Sequence, residues 1–205
     1  MTSTTYPLLT IARHRMGTDG AGITTLVAGA GCPLRCAWCI NKKLLHNTAP
    51  QNILASELLE RVMADNLYFQ ATGGGITFGG GEALLHADFI REFRGIAPAQ
   101  WKINAETSLF VPRNYVAAAT DAVDLFVVDC KDMNEDIYRK YTGEDVAVML
   151  DNLRFLLERV GSGRVIVRVP LIPGYNTEED QKKSAGMLAE MGVERLDLFE
   201  YVTRN

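Results

Sequence analysis

Asp124-Leu125-Phe126-Val127-Val128-Asp129 is the stretch whose reading decides the fold. Its run of apolar residues between two aspartates leaves no polar face. That is the mark of a strand buried on both sides, as in a parallel sheet covered by helices. Working outward, short apolar runs of the same kind return at 23–28, 75–78, 101–105, 164–169 and 195–199. Helical periodicity fills the gaps. It covers 53–69, with Leu54, Leu58, Leu59 and Val62 on one face and Ser56 as N-cap. It recurs at 87–96, from about Pro112, at 135–141, at 146–160, and at 177–191 with Gly192 just after it. Strands alternating with helices imply parallel strands joined by right-handed crossovers. The expected fold class is α/β, an open (βα)6 partial TIM-type barrel with parallel strands. A flat doubly wound sheet is the alternative. With 205 residues, no linker and no low-complexity segment, the chain 1–205 reads as a single domain.

The residues that could carry chemistry fall at the carboxyl ends of these strands, the edge where parallel α/β folds bind ligands. After the first strand comes Gly31-Cys32-Pro33-Leu34-Arg35-Cys36-Ala37-Trp38-Cys39-Ile40-Asn41, with the spacing C-x3-C-x2-C. Three thiolates on one turn, Cys32, Cys36 and Cys39, can hold three corners of a [4Fe–4S] cluster and leave the fourth iron open to a substrate or cofactor. Zinc is the competing reading. It would need a distant fourth ligand, from Cys130, His14, His46 or His86, and the paired knuckle spacing is absent. Trp38 can shield the cluster and lie against an adenine, or pack in the core. Asn41 is either a ligand contact or a helix cap.

After the second strand comes Gly79-Gly80-Gly81-Glu82, where missing side chains expose backbone polar groups and Glu82 adds a carboxylate at the rim. That suits a ligand carrying an ammonium group, and it is no phosphate loop, because G-x4-G-K-[ST] is absent. Alternate residues at a strand end share a face, so Asp129 and Lys131 project together while Cys130 turns away as a small buried hydrophobe. Asp129 and Lys131, with Glu106, Thr107 and Arg168 on neighbouring strands, can serve a zwitterionic ligand or simply pair with one another.

Composition sets the outer bounds. The chain is 47% hydrophobic and 22% charged, with a net charge of −4 and a pI near 5.4, so it shows no basic footprint for nucleic acid. No apolar run reaches the roughly 18 residues of a membrane span. The first seven residues lack the basic-then-apolar order of a signal peptide. Four cysteines grouped three plus one make no disulfide framework, which points to a reducing compartment, the cytoplasm.

Taken together, these segments resemble the radical S-adenosylmethionine (SAM) superfamily, and within it the activating enzymes of glycyl radical enzymes, of the pyruvate formate-lyase activating type. The resemblance runs from about Asp19 to Phe199. It rests on DGAGITTLVAGAGCPLRCAWCIN, ATGGGITFGGGEALLHADFIREF, Glu106-Thr107, VVDCKDMNEDIYRKYTG and VRVPLIPGYNTEED. It implies that Cys32, Cys36 and Cys39 hold the cluster and that SAM chelates the open iron. It implies further that Gly80, Gly81 and Glu82 receive the amino group, and that Lys131 and Arg168 lie near the methionyl part. Asp129, Glu106 and Thr107 match a region that can hold a monovalent cation, and Trp38 and Asn41 match cofactor contacts. The implied reaction makes a 5′-deoxyadenosyl radical, which takes hydrogen from a glycine Cα in the C-terminal loop of a partner glycyl radical enzyme. A flavodoxin-type reductant, an anaerobic setting and a monomeric state complete the picture. The alternatives are a small radical SAM enzyme acting on another peptide or small molecule, and a non-catalytic iron–sulfur scaffold.

The chain departs from the family pattern at Ala21, where Pro is usual, and at Thr24, Ile40 and Gly79, where Arg, His and Ser are frequent. A family histidine at the end of strand six falls on Val202, and relatives continue beyond the position of Asn205. No further cysteine cluster marks an inserted ferredoxin-like domain.

Overall fold

The computed structural model describes residues 4–201. Val202, the position of the absent family histidine, lies outside them. One sheet of eight strands runs in the order β3-β1-β2-β4-β5-β6-β7-β8. Six of these strands are parallel: β2 (Ile23–Gly29), β4 (Gly75–Gly80), β5 (Lys102–Thr107), β6 (Leu125–Asp129), β7 (Val165–Leu171) and β8 (Leu196–Glu200). β3 and β8 are edges that do not pair with each other, so the sheet is open, and the expected (βα)6 arrangement is present.

The helices between them are α1 (Lys42–Asn47), α2 (Ala55–Val62), α3 (Asn66–Thr72), α4 (Ala87–Ile96), α5 (Arg113–Ala119), α6 (Glu135–Thr142), α7 (Val146–Val160) and α8 (Glu178–Glu190). The spans expected at 87–96 and 146–160 match α4 and α7. On α8, Thr177 caps the helix, and Asp180 Oδ2 accepts from the Thr177 N–H at 2.9 Å. Gly192, with φ +92°, follows the helix in the left-handed region.

Two elements add to the expected set. β1 (Thr5–Met16) pairs antiparallel with β2, and β3 (Gln51–Leu54) pairs antiparallel with β1. The second of these corrects the helix expected over 53–69. Ile53 is buried in β3, α2 starts at Ala55, and a 3₁₀ turn at Met63–Asp65 separates α2 from α3. Ser56 therefore lies inside α2 and caps nothing. Glu57 does the closing work instead, accepting from the Leu54 N–H at 2.7 Å.

The two faces of the sheet differ. Ile76, Phe78, Ile103 and Ala105 are buried in the hydrophobic core, where Phe78 meets Phe93 at 5.6 Å and Tyr6 meets Phe89 at 5.0 Å between ring centroids. The opposite face, one residue out of phase, is polar. There the loop 17–22 folds against the strands: the Asp19 carbonyl accepts from Thr77 Oγ1 at 2.9 Å and from Asn104 Nδ2 at 3.0 Å. Arg15 holds the Asp19 side chain and Arg168 donates to the Thr18 carbonyl. Gly20 is required there, because a Cβ would run into the Asn104 amide. This loop fills the lower part of the concave face, leaving the carboxyl ends of the strands for the site.

Candidate functional site

The cysteine loop follows β2 and is docked at both ends. At its start, the backbone of 29–31 meets the end of β4: Gly81 N donates to Gly29 O at 3.0 Å and Glu82 N to Gly31 O at 2.8 Å. Side chains are excluded here, since a Cβ on Gly81 would sit inside the Gly31 carbonyl and one on Gly80 against Ala28. At its far end the loop leans on the last turn of α6. Arg35 N donates to Thr142 O at 3.0 Å, Ala37 N to Tyr141 O at 2.9 Å, and Tyr141 Oη to Trp38 O at 3.1 Å. The free carbonyls at a helix C-terminus find their donors in the loop.

All four cysteines are free thiols. Cys32 is exposed, Cys36 and Cys39 are half-buried, and Cys130 is fully buried, as its place beside Asp129 and Lys131 implied. Crowding by protein pushes the Cys32 thiol up to about 12, with neighbouring Cys36, Cys39 and Glu82 adding to the shift. Burial also raises Cys36, and the nearby Lys131 ammonium opposes it. Cys32 and Cys36 are thus held as thiols, and binding a metal would release their protons. Among the described residues no three His, Cys, Asp or Glu side chains are drawn together around a metal position, the three loop cysteines included. Three free thiols on one loop have the chemistry to hold an iron–sulfur cluster with an open iron.

Trp38 is 41% exposed, which removes the core-packing reading. Asn41 stands at the cap position of α1 but makes no capping bond. Its Nδ2 donates to Gly80 O at 2.7 Å and so joins the cysteine loop to β4.

Glu82 differs from expectation. Its carboxylate is not at the rim; the residue is 2% exposed. One oxygen accepts from Leu84 N at 3.1 Å and Thr107 Oγ1 at 2.6 Å. The other accepts from Ser108 N at 2.8 Å and Ser108 Oγ at 2.6 Å. Four donors leave no lone pair turned toward a ligand, so Glu82 ties the end of β4 to the end of β5. Ser108 was not among the expected site residues; its only sequence signal is its place after Glu106-Thr107.

The charged residues pair across the strand ends. Lys131 Nζ is 3.0 Å from Asp129 Oδ2 and 3.1 Å from Tyr201 Oη. Burial alone would lower its pKa, but Asp129, Tyr201, Cys36 and Tyr141 together hold it well above the usual lysine value. Arg168 Nη1 is 2.9 Å from Glu106 Oε1, and its Nε is 3.8 Å from Asp197. Both carboxylates expected beside a monovalent cation, Glu106 and Asp129, already have cationic partners, and the Thr107 hydroxyl is spent on Glu82. These pairs engage one oxygen of each carboxylate, Asp129 Oδ2 and Glu106 Oε1.

Glu106 gives a testable pH dependence. Burial raises its pKa above the ordinary 4.5; Arg168 opposes the shift, while Asp19 and Asp129 add to it. The folded chain therefore holds this proton to higher pH than the unfolded chain does. Glu106's share of stability is present below 4.5 and is lost as pH rises through the raised value. In cofactor-free protein, Glu106→Gln should flatten the fall of the urea midpoint as pH rises above 4.5. Parallel curves for the two proteins would refute this assignment.

The comparisons agree with the geometry. The family model of the radical SAM superfamily matches residues 26–182, and the chain belongs to that superfamily. Within it the chain sits with the activating enzymes of glycyl radical enzymes. It is 31% identical over 188 residues to the pyruvate formate-lyase-activating enzyme of Clostridium pasteurianum, covering 90% of this chain and 78% of that one. It is 28% identical over 188 residues to the pyruvate formate-lyase 1-activating enzyme of Escherichia coli (strain K12), covering 89% and 76%. It is 30% identical over 223 residues to the choline trimethylamine-lyase activating enzyme of Oleidesulfovibrio alaskensis, covering 79% and 71%. Among solved structures, SuiB of Streptococcus suis bound to S-adenosylmethionine superposes with a TM-score of 0.64 at 14% identity, over 85% of this chain and 39% of SuiB. The protein anSMEcpe with bound AdoMet gives 0.62 at 14%, over 86% of this chain and 52% of that one. These two likenesses speak for the fold. As a radical SAM protein the chain is an enzyme whose cofactors are a [4Fe–4S] cluster and SAM.

Proposed function

We propose that the chain activates a glycyl radical enzyme by abstracting a hydrogen atom from a glycine Cα of that partner. The observation that carries this reading is the three-cysteine loop clamped between Gly80–Gly81 and the end of α6, at the carboxyl edge of the parallel strands. When bound, the reduced cluster and SAM supply a 5′-deoxyadenosyl radical.

The chain's own part is to bind, orient and exclude water. Cys32, Cys36 and Cys39 hold the iron. The side-chain-free backbone at Gly80 and Gly81 receives the ammonium end of the methionyl group through carbonyls, with Glu82 bracing that turn from behind. Lys131, kept charged by its surroundings, faces the carboxylate end, with Arg168, Glu106, Thr107 and Asp129 fixing the strand ends around it. Trp38 covers the cluster side, and Asn41 fixes the loop to β4. A glycine suits the target because no side chain keeps its Cα at a distance. We place the protein in the cytoplasm under low oxygen, as a monomeric single domain over 1–205 served by a flavodoxin-type donor. No helix among the described residues is long and apolar enough to cross a membrane.

The test is anaerobic reconstitution, reduction and addition of SAM, with 5′-deoxyadenosine as product and Cys36→Ala as control. Glycyl radical formation in a partner enzyme is then read by electron paramagnetic resonance. Cys36-dependent 5′-deoxyadenosine together with the partner's radical is the expected result. Cleavage of SAM without any glycyl radical would assign the chain to another peptide or small molecule. No cleavage by a fully loaded protein would overturn the enzymatic reading.

A further inference from the structure

Among the described residues, the hydroxyl of Tyr138 is the one buried side-chain nitrogen or oxygen with no hydrogen-bond partner. Tyr138 is 0% exposed, so solvent does not supply one. A buried donor left unpaired is destabilising, and native interiors rarely keep one without a reason. Burial also raises its pKa, so the group stays an O–H and acts as a donor.

Its place on α6 sets it next to the cysteine loop. Tyr138 lies on α6, one turn before the two carbonyls that hold Arg35 N and Ala37 N, the residues on either side of Cys36. Its own carbonyl accepts from Thr142 Oγ1 at 2.8 Å, which fixes that turn. The ionisable groups that act on the hydroxyl are Cys130, Cys36, Lys131 and Glu82, Cys130 most strongly. Lys131 has its own partners in Asp129 and Tyr201, Glu82 has four donors, and Cys130 is a fully buried thiol that burial keeps neutral, so none of these calls for the donor. Cys36 is the acceptor that changes character: once it ligates iron it is an anionic sulfur without a proton.

We infer that Tyr138 donates a hydrogen bond to the Cys36 sulfur of the loaded cluster, tuning its reduction potential and latching the loaded loop to α6. This rests on the cluster assignment under the proposed function. Hydrogen bonds to cluster sulfurs favour the more electron-rich reduced state and so raise the potential. Tyr138 is a tuning and positioning residue; it need not touch SAM or the glycine.

The experiment compares wild type with Tyr138→Phe, which keeps the ring and removes only the hydroxyl. Iron and sulfide are counted first. If wild type takes up no four-iron cluster, the cluster assignment itself has failed. With both proteins loaded, an anaerobic redox titration followed by electron paramagnetic resonance should show a lower midpoint for Tyr138→Phe. The expected change is up to about tenfold in the reduction equilibrium, which is 59 mV for one electron. Thermal unfolding is the second readout. Without cluster the variant should be at least as stable as wild type, because an unpaired hydroxyl has gone; with cluster it should be less stable. An unchanged midpoint in loaded protein, or an equal loss of stability with and without cluster, would mean that the hydroxyl bonds to water or protein, and would overturn the inference.

Discussion

Gly81→Ala should fold and yet fail to hold a cluster. Gly81 stands where the end of β4 meets the backbone of 29–31, and an added Cβ would occupy the space of the Gly31 carbonyl while lying 3.0 Å from Gly29 O. Both neighbours are backbone, so no side chain can swing aside. Gly31, already at φ +89°, must move, and Cys32 is the next residue. Overpacking of this kind costs about 1–3 kcal/mol or more, and 3 kcal/mol is roughly a hundredfold in affinity. Much of that strain can be relieved by displacing the loop, so it should appear as lost iron and sulfide per chain after reconstitution. Gly95→Ala is the control. Gly95 lies in α4 with nothing within 4 Å of the added Cβ, and alanine there should stabilise by up to about 1 kcal/mol. Full cluster content in Gly81→Ala would show that the loop tolerates the shift and that the glycine serves another purpose.

Glu82→Gln should destabilise the protein before any cofactor is added. The carboxylate collects four hydrogen bonds from Leu84, Thr107 and Ser108, all on protein donors. A glutamine amide can replace only one of the two oxygens. Its NH₂ would then face donors, either at Ser108 or at Thr107 and Leu84. Leaving buried donors unpaired costs about 1–3 kcal/mol for each neutral group, so a loss of about 2–4 kcal/mol in urea unfolding of cofactor-free protein is expected. Burial raises the Glu82 pKa while the four donors pull it down. The protein thus accepts an electrostatic cost here in exchange for a fixed junction between β4 and β5. If the carboxylate instead served a ligand directly, the variant would unfold like wild type and lose only SAM affinity.

Much of this architecture is legible in the chain. The runs at 75–78 and 124–129 fall on buried strands, as expected, but the two faces are buried differently: Ile76, Phe78, Phe126 and Val128 pack in the apolar core, while Thr77 on the other face lies against the loop 17–22. β1 is different. Its inward residues Tyr6 and Leu8 are buried, but Pro7 interrupts the run, and Arg13, His14 and Arg15 follow a register shift, with His14 at φ +55°. A bulged strand loses the period of two that would reveal it. In β3, Ile53 and Leu54 are too short a signal to separate from the helix that follows.

At the site, residue types and placement were readable and partnerships were not. The cysteine spacing and the shared face of Asp129 and Lys131 follow from local geometry alone. That Glu82 is consumed by Ser108 and Thr107, or that Asn41 turns to Gly80 and not to its own helix, depends on distant chain segments meeting. Tyr141 and Tyr201 escaped notice for the same reason: a tyrosine 103 residues from Trp38 gives no local hint that it will hold the loop carbonyl.

That separation has a consequence for biogenesis. The thiol loop belongs to the first parallel strand, but the turn it rests on is made only after the fourth, 103 residues later. At ribosomal rates of roughly 5–20 residues per second, the cysteines leave the ribosome about 5–20 seconds ahead of their support. During that interval they are ordinary nascent-chain thiols, open to oxidation and to stray metal. The docked form of the loop, with its thiols held against the end of α6, can therefore form no earlier than α6 itself.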